Sequence, residues 1–362
     1  MQPVNSSTSP PDLTVSAIIV SYNSEKYIHQ CLDALLQSGY RIKEVVVVDN
    51  ASKDSSSSIV ERFFPRVRLV RNSRNLGFAG GCNLGLGQVS GQVVAFVNPD
   101  VIVRPSWLGE LMKVMAEDPS VAIVGGKLLY ADHPTIQHAG GFLHYPLALA
   151  DHYGYGQPDD GRWDELRDVE YVTGAALAVR RQVLDALSGF DERFSPAYFE
   201  ETDLCWRARK AGFKVVYAPK AVGIHYETTS TGKDSYNYYY YYHLNRLRFV
   251  LKNYTRQQLL KDFFPAELNR LKLVCPEAEK RALDAAYREM LDYMRAGAST
   301  ETDAAAVIHD GVLVKAMEQL SMRCNKLSNS EPRASTQNVV ALGTDAARHV
   351  WRSVFRTGSR KL

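Results

Sequence analysis

The sequence has no C-x-x-C pair, and its five cysteines, Cys31, Cys82, Cys205, Cys275 and Cys324, are scattered and odd in number. Neither a disulfide framework nor a zinc knuckle is suggested, and a reducing compartment fits best. No apolar run approaches the ~18 residues that would span a bilayer. The start, MQPVNSSTSPPDL, lacks a basic segment followed by an apolar one. A cytoplasmic chain without a membrane span is expected. Long lysine or arginine runs are also missing before Lys252, and a net charge of +3 is too small to imply nucleic acid. What is present is an ordinary globular composition, 45% hydrophobic and 23% charged over 362 residues. That suits one large domain with an appendage.

After a polar leader (1–13), β-branched runs alternate with helix-like stretches. Strands are expected at Val15 to Val20, Glu44 to Asp49, Val67 to Arg71 and Val93 to Val97. Helices are expected at Glu25 to Gln37, Ser55 to Phe63 and Gly80 to Gln88. The runs EVVVVD and QVVAFVN are apolar almost throughout, as strands covered on both faces must be. The expected fold is therefore α/β, a Rossmann-like, mostly parallel sheet flanked by helices. Farther along come a helix to Glu117, a strand at Val121 to Gly125, and a long irregular stretch rich in Gly, His and Tyr to Arg167. Loops of that length inside a domain are usually functional. A strand at Val169 to Thr173, a helix from Phe199 to Ala211, a strand at Lys214 to Tyr217 and a tyrosine-rich helix to Lys252 follow. Beyond Tyr254 only helices are expected. The division is a catalytic-type domain at 14–254, a helical extension at 255–327, a linker at 328–340 and a tail helix at 341–362.

Ligands of such sheets bind beyond the carboxyl ends of the strands. Ser21, Asp49 and Asp100 fall there, although each residue type also serves as a turn or helix cap. The Asn98-Pro99-Asp100 turn presents a carboxylate at the end of a buried strand, and hard divalent cations take oxygens from one or two carboxylates plus phosphates. A plain turn is the other reading. The segment NLGFAGGCNLG has glycines, Gly80 among them, that let backbone approach a ligand, and Asn75 and Asn83 carry donors and acceptors. It is no dinucleotide fingerprint, because the first strand runs into SYNSEKY without glycine. Glu200, Glu201 and Asp203 crowd the first turn of an expected helix. They either complement its dipole or supply a general base, and neighbours 200 and 201 point about 100° apart. The run of tyrosines from Tyr236 to Tyr242 is too long to face one side of a helix, so it divides between core and ligand-facing positions. Trp206 is expected in the core. In the tail, Arg348, Arg352 and Arg356 recur opposite Val350, Trp351, Val354 and Phe355. This basic amphipathic pattern suits a membrane surface or docking on the protein's own core.

Seven motifs occur in order: VSYNSEKY, VVVVDNASKDSS, RNLGFAGGCNLG, FVNPDV, VTGAALAVRR, FDERFSPAYFEETDLCWRARKAGFKV and GIHYETTSTG. Together they resemble family 2 glycosyltransferases of the GT-A fold, especially the bacterial rhamnosyltransferase-like branch, over nearly all of Val15 to Lys252. The resemblance implies a nucleotide-sugar donor lined by Ser21, Tyr22 and Asn23, with Asp49 on the nucleobase and Asn75, Gly80, Asn83 and Asn98 nearby. It further implies that Asp100 ligates Mn²⁺ or Mg²⁺, that His225 contacts metal or diphosphate, and that the catalytic base lies in the Glu200-Glu201 pair. Two positions depart from the family pattern. Asn98 stands where many relatives have the first Asp of Asp-x-Asp, and Glu201 stands where they have Asp. Glu201 is the expected base, with Asp203 as orienting partner and an i, i+4 ion pair from Asp203 to Arg207.

The activity so implied is inverting, metal-dependent transfer to a saccharide or lipid-linked saccharide acceptor in bacterial surface polysaccharide assembly. Deoxythymidine-diphosphate rhamnose is the favoured donor and a UDP-hexose the alternative. A catalytically silent sugar-binding partner of an assembly complex is the rival from another class. Peripheral contact with the inner face of the cytoplasmic membrane through the tail helix is a further expectation.

Overall fold

The protein is described by a computed structural model that covers residues 13–133, 135–227, 234–273, 275–296 and 310–328. Its first strands are β1 (Val15–Ser21), β2 (Ile42–Asp49), β3 (Arg68–Arg71) and β4 (Val93–Val97). They pair in parallel in the order β3, β2, β1, β4. The valines of β2 and β4 are buried on both faces because helices cover both sides. Helices α1 (Ile28–Leu36) and α2 (Ser56–Phe63) lie on one face, and α3 (Gly77–Leu86) lies on the other. A Cβ on Gly81 would sit 2.6 Å from Val20 Cγ1, and one on Gly85 would sit 2.7 Å from Ile18 Cγ2. Glycine therefore lets α3 lie directly on the sheet, and that close packing is what the glycine-rich motif encodes.

The next strand, β5 (Val101–Val103), leads into α4 (Trp107–Glu117) and the long β6 (Val121–Tyr130). The irregular stretch then contains β7 (Ile136–His138), the hairpin β8 (Gly141–His144) with β9 (Leu149–His152), and the short β10 (Arg167–Asp168). The sheet strand near Gly174 is β11 (Ala176–Arg180), not Val169 to Thr173. Both segments are apolar, but small Ala176 and Ala178 fit between two neighbours, and β11 runs antiparallel to both β4 and β6. The sheet is thus mixed. Helices α5 (Arg181–Ala186) and α6 (Glu200–Lys210) precede β12 (Lys214–His225). Both β6 and β12 run past the glycines and proline that read as stops. Gly126 tolerates this because a Cβ there would lie 1.9 Å from the Ala221 carbonyl oxygen, and a bulge in β12 between Ala218 and Val222 absorbs the extra residues. This continuation carries His225 out to the ligand end of the sheet.

Helix α7 (Tyr236–Asn253) turns away from the sheet and joins the extension. That extension comprises α8 (Arg256–Gln258), a π-turn at Leu259–Phe263, α9 (Phe264–Arg270), α10 (Glu277–Ala296) and α11 (Gly311–Ser328). Its core joins Leu247, Phe249 and Val250 of α7 to Tyr287, Met290, Leu313 and Met317, and takes in Phe194 and Phe199 from the segment before α6. Trp206 packs partly buried at its margin, against Phe249 and Tyr254. At the centre, Glu267 is buried with Arg246 and Arg270, the Arg270 pair at 2.8 Å, and accepts from Tyr287. Burial alone would raise the Glu267 pKa, but the two guanidiniums prevail and hold it well below the ordinary carboxylate range. No helix among the described residues is long and apolar enough to cross a membrane. The expected tail helix (341–362) lies outside the described residues, as does all of the linker beyond Ser328.

Candidate active site

The parallel register aligns Ser21 with Asp49 and Asp49 with Arg71. These residues end β1, β2 and β3 side by side, so their loops meet. Asn50 N–H donates to Ser21 O (2.8 Å), and Asn72 N–H donates to Asp49 O (2.8 Å). The loop after β1 is laced to the loop after β2: Ser24 N–H donates to Ser56 Oγ (2.7 Å), Lys53 N–H to Asn23 Oδ1 (2.8 Å) and Ser55 N–H to Glu25 Oε2 (2.9 Å). Asn23 holds the left-handed conformation that this lacing requires (φ 50°). Asp49 is buried, and Ser21 Oγ is buried without a hydrogen-bond partner among the described residues. An orphaned hydroxyl at a strand end is the kind of group a bound ligand satisfies. Tyr22, 39% exposed, stands at the rim.

Asp100 and His225 come together through the β5–β12 ladder. The antiparallel register sets His225 opposite Val101, and Tyr226 N–H donates to Asp100 O (3.0 Å). The result is a nearly buried pair with Asp100 Oδ1 3.3 Å from His225 Nε2. Among the described residues no group of three or more His, Cys, Asp or Glu forms a metal cage. One carboxylate and one imidazole converging at a strand end fit a hard cation that draws its other oxygens from a diphosphate and water. The turn between them is fixed: Asn98 N–H donates to Ala175 O (2.8 Å), Asn98 O accepts from Val101 N–H (3.1 Å), and Cys31 Sγ lies 3.4 Å from Asn98 O.

That Asn98–Ala175 bond carries the site to the acidic helix. Ala175 follows Gly174, whose open side faces Glu201: a Cβ there would sit 3.6 Å from Glu201 Cβ and Cγ. Two consecutive left-handed residues, Tyr198 (φ 78°) and Phe199 (φ 71°), bring the chain into α6. Such non-glycine strain is held only where surrounding packing enforces it, and Phe199 is locked into the core of the helical extension. The two glutamates then diverge. Glu200 is 6% exposed with Oε2 unpartnered among the described residues, and burial, followed by the charge of Glu201, pushes its pKa well up. Glu201 is half-buried; burial raises its pKa against the backbone N–H groups of Glu201, Thr202 and Gly174. A raised carboxylate with an accessible face is suited to general-base chemistry near neutral pH.

Other residues named from the sequence serve as scaffold. Asn83 donates to Phe190 O (2.8 Å) and Glu192 Oε1 (3.0 Å) and accepts from Phe190 N–H (2.9 Å), so its amide clamps α3 to the segment before α6. Gly80 is buried inside α3, where a Cβ would meet Leu76 Cβ at 2.9 Å. Asn75 accepts from Gly77 N–H (2.8 Å), shaping a turn that lets Phe78 N–H reach Pro196 O (3.0 Å). Asp203 is fully buried and pairs with Arg207 (2.7 Å) as expected, yet it also binds Lys252 (2.8 Å) and Asn253 (3.1 Å). Two residues beyond Glu201 it lies across the helix, stapling α6 to α7 rather than orienting the base. Asn50 and Gln137 escaped sequence reading. Asn50 Nδ2 donates to Gly77 O (2.9 Å), tying β2 to α3, and Gln137 Oε1 meets His225 Nδ1 at 2.7 Å. Asn50 was legible as the neighbour of Asp49, whereas Gln137 carries no local signal.

Known proteins share this framework. O-antigen biosynthesis protein RfbC of Myxococcus xanthus is 31% identical over 231 residues, covering 61% of this chain and 18% of its own length. The N-acetylglucosaminyl-diphospho-decaprenol L-rhamnosyltransferase of Mycobacterium tuberculosis is 26% identical over 254 residues, 64% of this chain and 82% of its own length. The crystal structure of S. aureus TarS shares the fold, with a TM-score of 0.53 at 17% identity over 87% of this chain and 54% of that one. The chain spans a quarter or less of the length of two of the curated relatives it matches. Residues 16–187 match the model for glycosyl transferase family 2, so this segment is similar to that family.

Proposed function

We propose that the chain is an inverting glycosyltransferase that moves a sugar from a nucleotide-diphosphate donor to a hydroxyl of a saccharide acceptor. The observation that carries this reading is the continuous run of contacts from the Asp100–His225 pair, through Asn98 and Ala175, to Gly174 and Glu201. It supports reading the Asp100–His225 pair as the cation site and Glu201 as the base at the ligand end of the sheet. Ser21, Tyr22, Asp49 and Asn50 take the nucleoside side. Asp100 and His225 hold a divalent cation, Mn²⁺ or Mg²⁺, which when bound neutralises charge on the departing diphosphate. Glu201 accepts the proton of the acceptor hydroxyl as that oxygen attacks the anomeric carbon from the face opposite the leaving group, so configuration inverts in one displacement.

Deoxythymidine-diphosphate rhamnose is the proposed donor and a lipid-linked saccharide the proposed acceptor. Both are supported by the rhamnosyltransferase relative, whose name specifies a diphospho-decaprenol acceptor. The test is a panel of nucleotide sugars assayed for transfer and hydrolysis with Mn²⁺ or Mg²⁺. Metal-dependent turnover of the rhamnosyl donor, lost in Glu201→Gln while donor affinity persists, is the expected result. Full turnover by Glu201→Gln removes the base assignment. Donor binding without turnover in the wild-type chain replaces the enzyme reading with a sugar-binding one.

A further inference from the structure

We infer that Gln137 is a positioning residue that fixes the tautomer and orientation of His225, leaving Nε2 as the lone-pair face toward Asp100. This rests on the proposed reading of His225 as a cation ligand and extends it to a residue from the irregular stretch, to which no role is otherwise attached.

The geometry is specific. Gln137 is 6% exposed, and its Oε1 lies 2.7 Å from His225 Nδ1, on the opposite side of the ring from Nε2, which faces Asp100 at 3.3 Å. A carbonyl oxygen can only accept, so the ring nitrogen facing it must carry the proton. In neutral imidazole the other nitrogen is then the acceptor, free for a cation. Metal-bound histidines need such a partner at the distal nitrogen, and losing it typically weakens metal affinity about 10- to 100-fold.

The fold arranges this contact by an irregularity. In the β6–β7 pair Leu128 faces His138 while Leu129 faces Ile136, which leaves Gln137 as the extra residue of a bulge. Bulges re-aim side chains next to active sites. His225, across β6, is paired with Tyr130 at the end of the same strand. The bulge itself is pinned from behind: the Gln137 carbonyl oxygen lies 3.0 Å from His152 Nδ1, and the His152 ring packs edge-on against His138 at 4.5 Å. The β7 and β9 segments thus act as a brace for the cation pair.

The test uses the full chain and two readouts. In ¹⁵N-histidine spectra of the protein saturated with Mg²⁺ and thymidine diphosphate, His225 should carry its proton on Nδ1 and bind the cation through Nε2, and Gln137→Leu should lose that signature at the same Mg²⁺ concentration while Gln137→Glu keeps it. In titrations of Mn²⁺ with thymidine diphosphate, Gln137→Leu should weaken Mn²⁺ binding about 10-fold or more, with Gln137→Glu close to wild type and thermal stability little changed. A wild-type His225 protonated on Nε2 overturns the inference without any variant, as does a Gln137→Leu protein with unaltered tautomer and unaltered Mn²⁺ affinity. If His225→Ala binds Mn²⁺ as well as wild type does, the cation reading of His225 fails, and the ¹⁵N spectra still decide the role of Gln137.

Discussion

The two halves of the crevice are built differently. On the proposed nucleoside side, Ser21, Asp49 and Arg71 end adjacent parallel strands, and the loops that follow them are hydrogen-bonded to one another within one stretch of chain. On the proposed cation and base side, Asp100, Gln137 and His225 are brought together by the β5–β12 and β6–β7 registers, and Gly174 and Glu201 come from two further segments. The first half depends on local lacing. The second depends on tertiary register and on the cores behind it, including the helical extension that locks Phe199 at the entry to α6. Damage to long-range packing should therefore reach the second half first.

The sharpest separation comes from Glu201→Gln, expected to lower kcat about 100- to 10,000-fold while leaving nucleotide affinity within about twofold. Steady-state kinetics alongside calorimetry checks it. The same residue fixes the acid limb of the pH profile. Burial raises its pKa and the base works ionised, so the rate should be full above that raised value and fall as pH drops through it, above the ordinary glutamate range. Next in size is Glu267→Ala, which strands the Arg246 and Arg270 charges in the core of the helical extension and should cost about 3–5 kcal/mol in denaturant unfolding. Because the native pKa of Glu267 is depressed, its stabilisation is present above the unfolded value and disappears as pH falls through the native one. The smallest effect is expected for Gly81→Ala, where the new Cβ would press on Val20 at 2.6 Å and Asn50 Nδ2 at 3.1 Å. Overpacking costs ~1–3 kcal/mol and helix propensity returns up to ~1 kcal/mol. A net loss of about 1 kcal/mol is expected, and nucleotide affinity should weaken with little change in metal affinity.

The convergence of Ser21 and Asp49 at adjacent strand ends was legible because strand-end polar residues and buried valine runs are local signals. The Asp100–His225 pair and the acidic helix were reachable through ordered motifs. The glycines of NLGFAGGCNLG misled, because close helix-on-sheet packing and close ligand approach demand the same residue, and only the contacts to Val20 and Ile18 tell them apart. Asn83 read as a ligand-facing polar group and Asp203 as the partner that orients the base, yet Asn83 is a partly buried clamp and Asp203 a buried one, since a side chain's direction around a helix depends on which face the core claims. Strands β6 and β12 were cut short by Gly126 and Pro219, which mark a close approach and a bulge rather than strand ends. Gln137 was invisible for a related reason: a bulge is a property of two paired strands, and one sequence segment does not announce it.

The most direct measurement of the divided crevice is nucleoside diphosphate affinity, with and without Mn²⁺, for wild type, Asp49→Ala and Asp100→Asn. Asp49→Ala should weaken binding by a similar factor whether or not Mn²⁺ is present, whereas Asp100→Asn should abolish the gain from Mn²⁺ and leave metal-free binding nearly unchanged. Equal loss of the Mn²⁺ gain in both variants, or a full gain retained in Asp100→Asn, would contradict the division and the assignment of the cation to the Asp100–His225 pair.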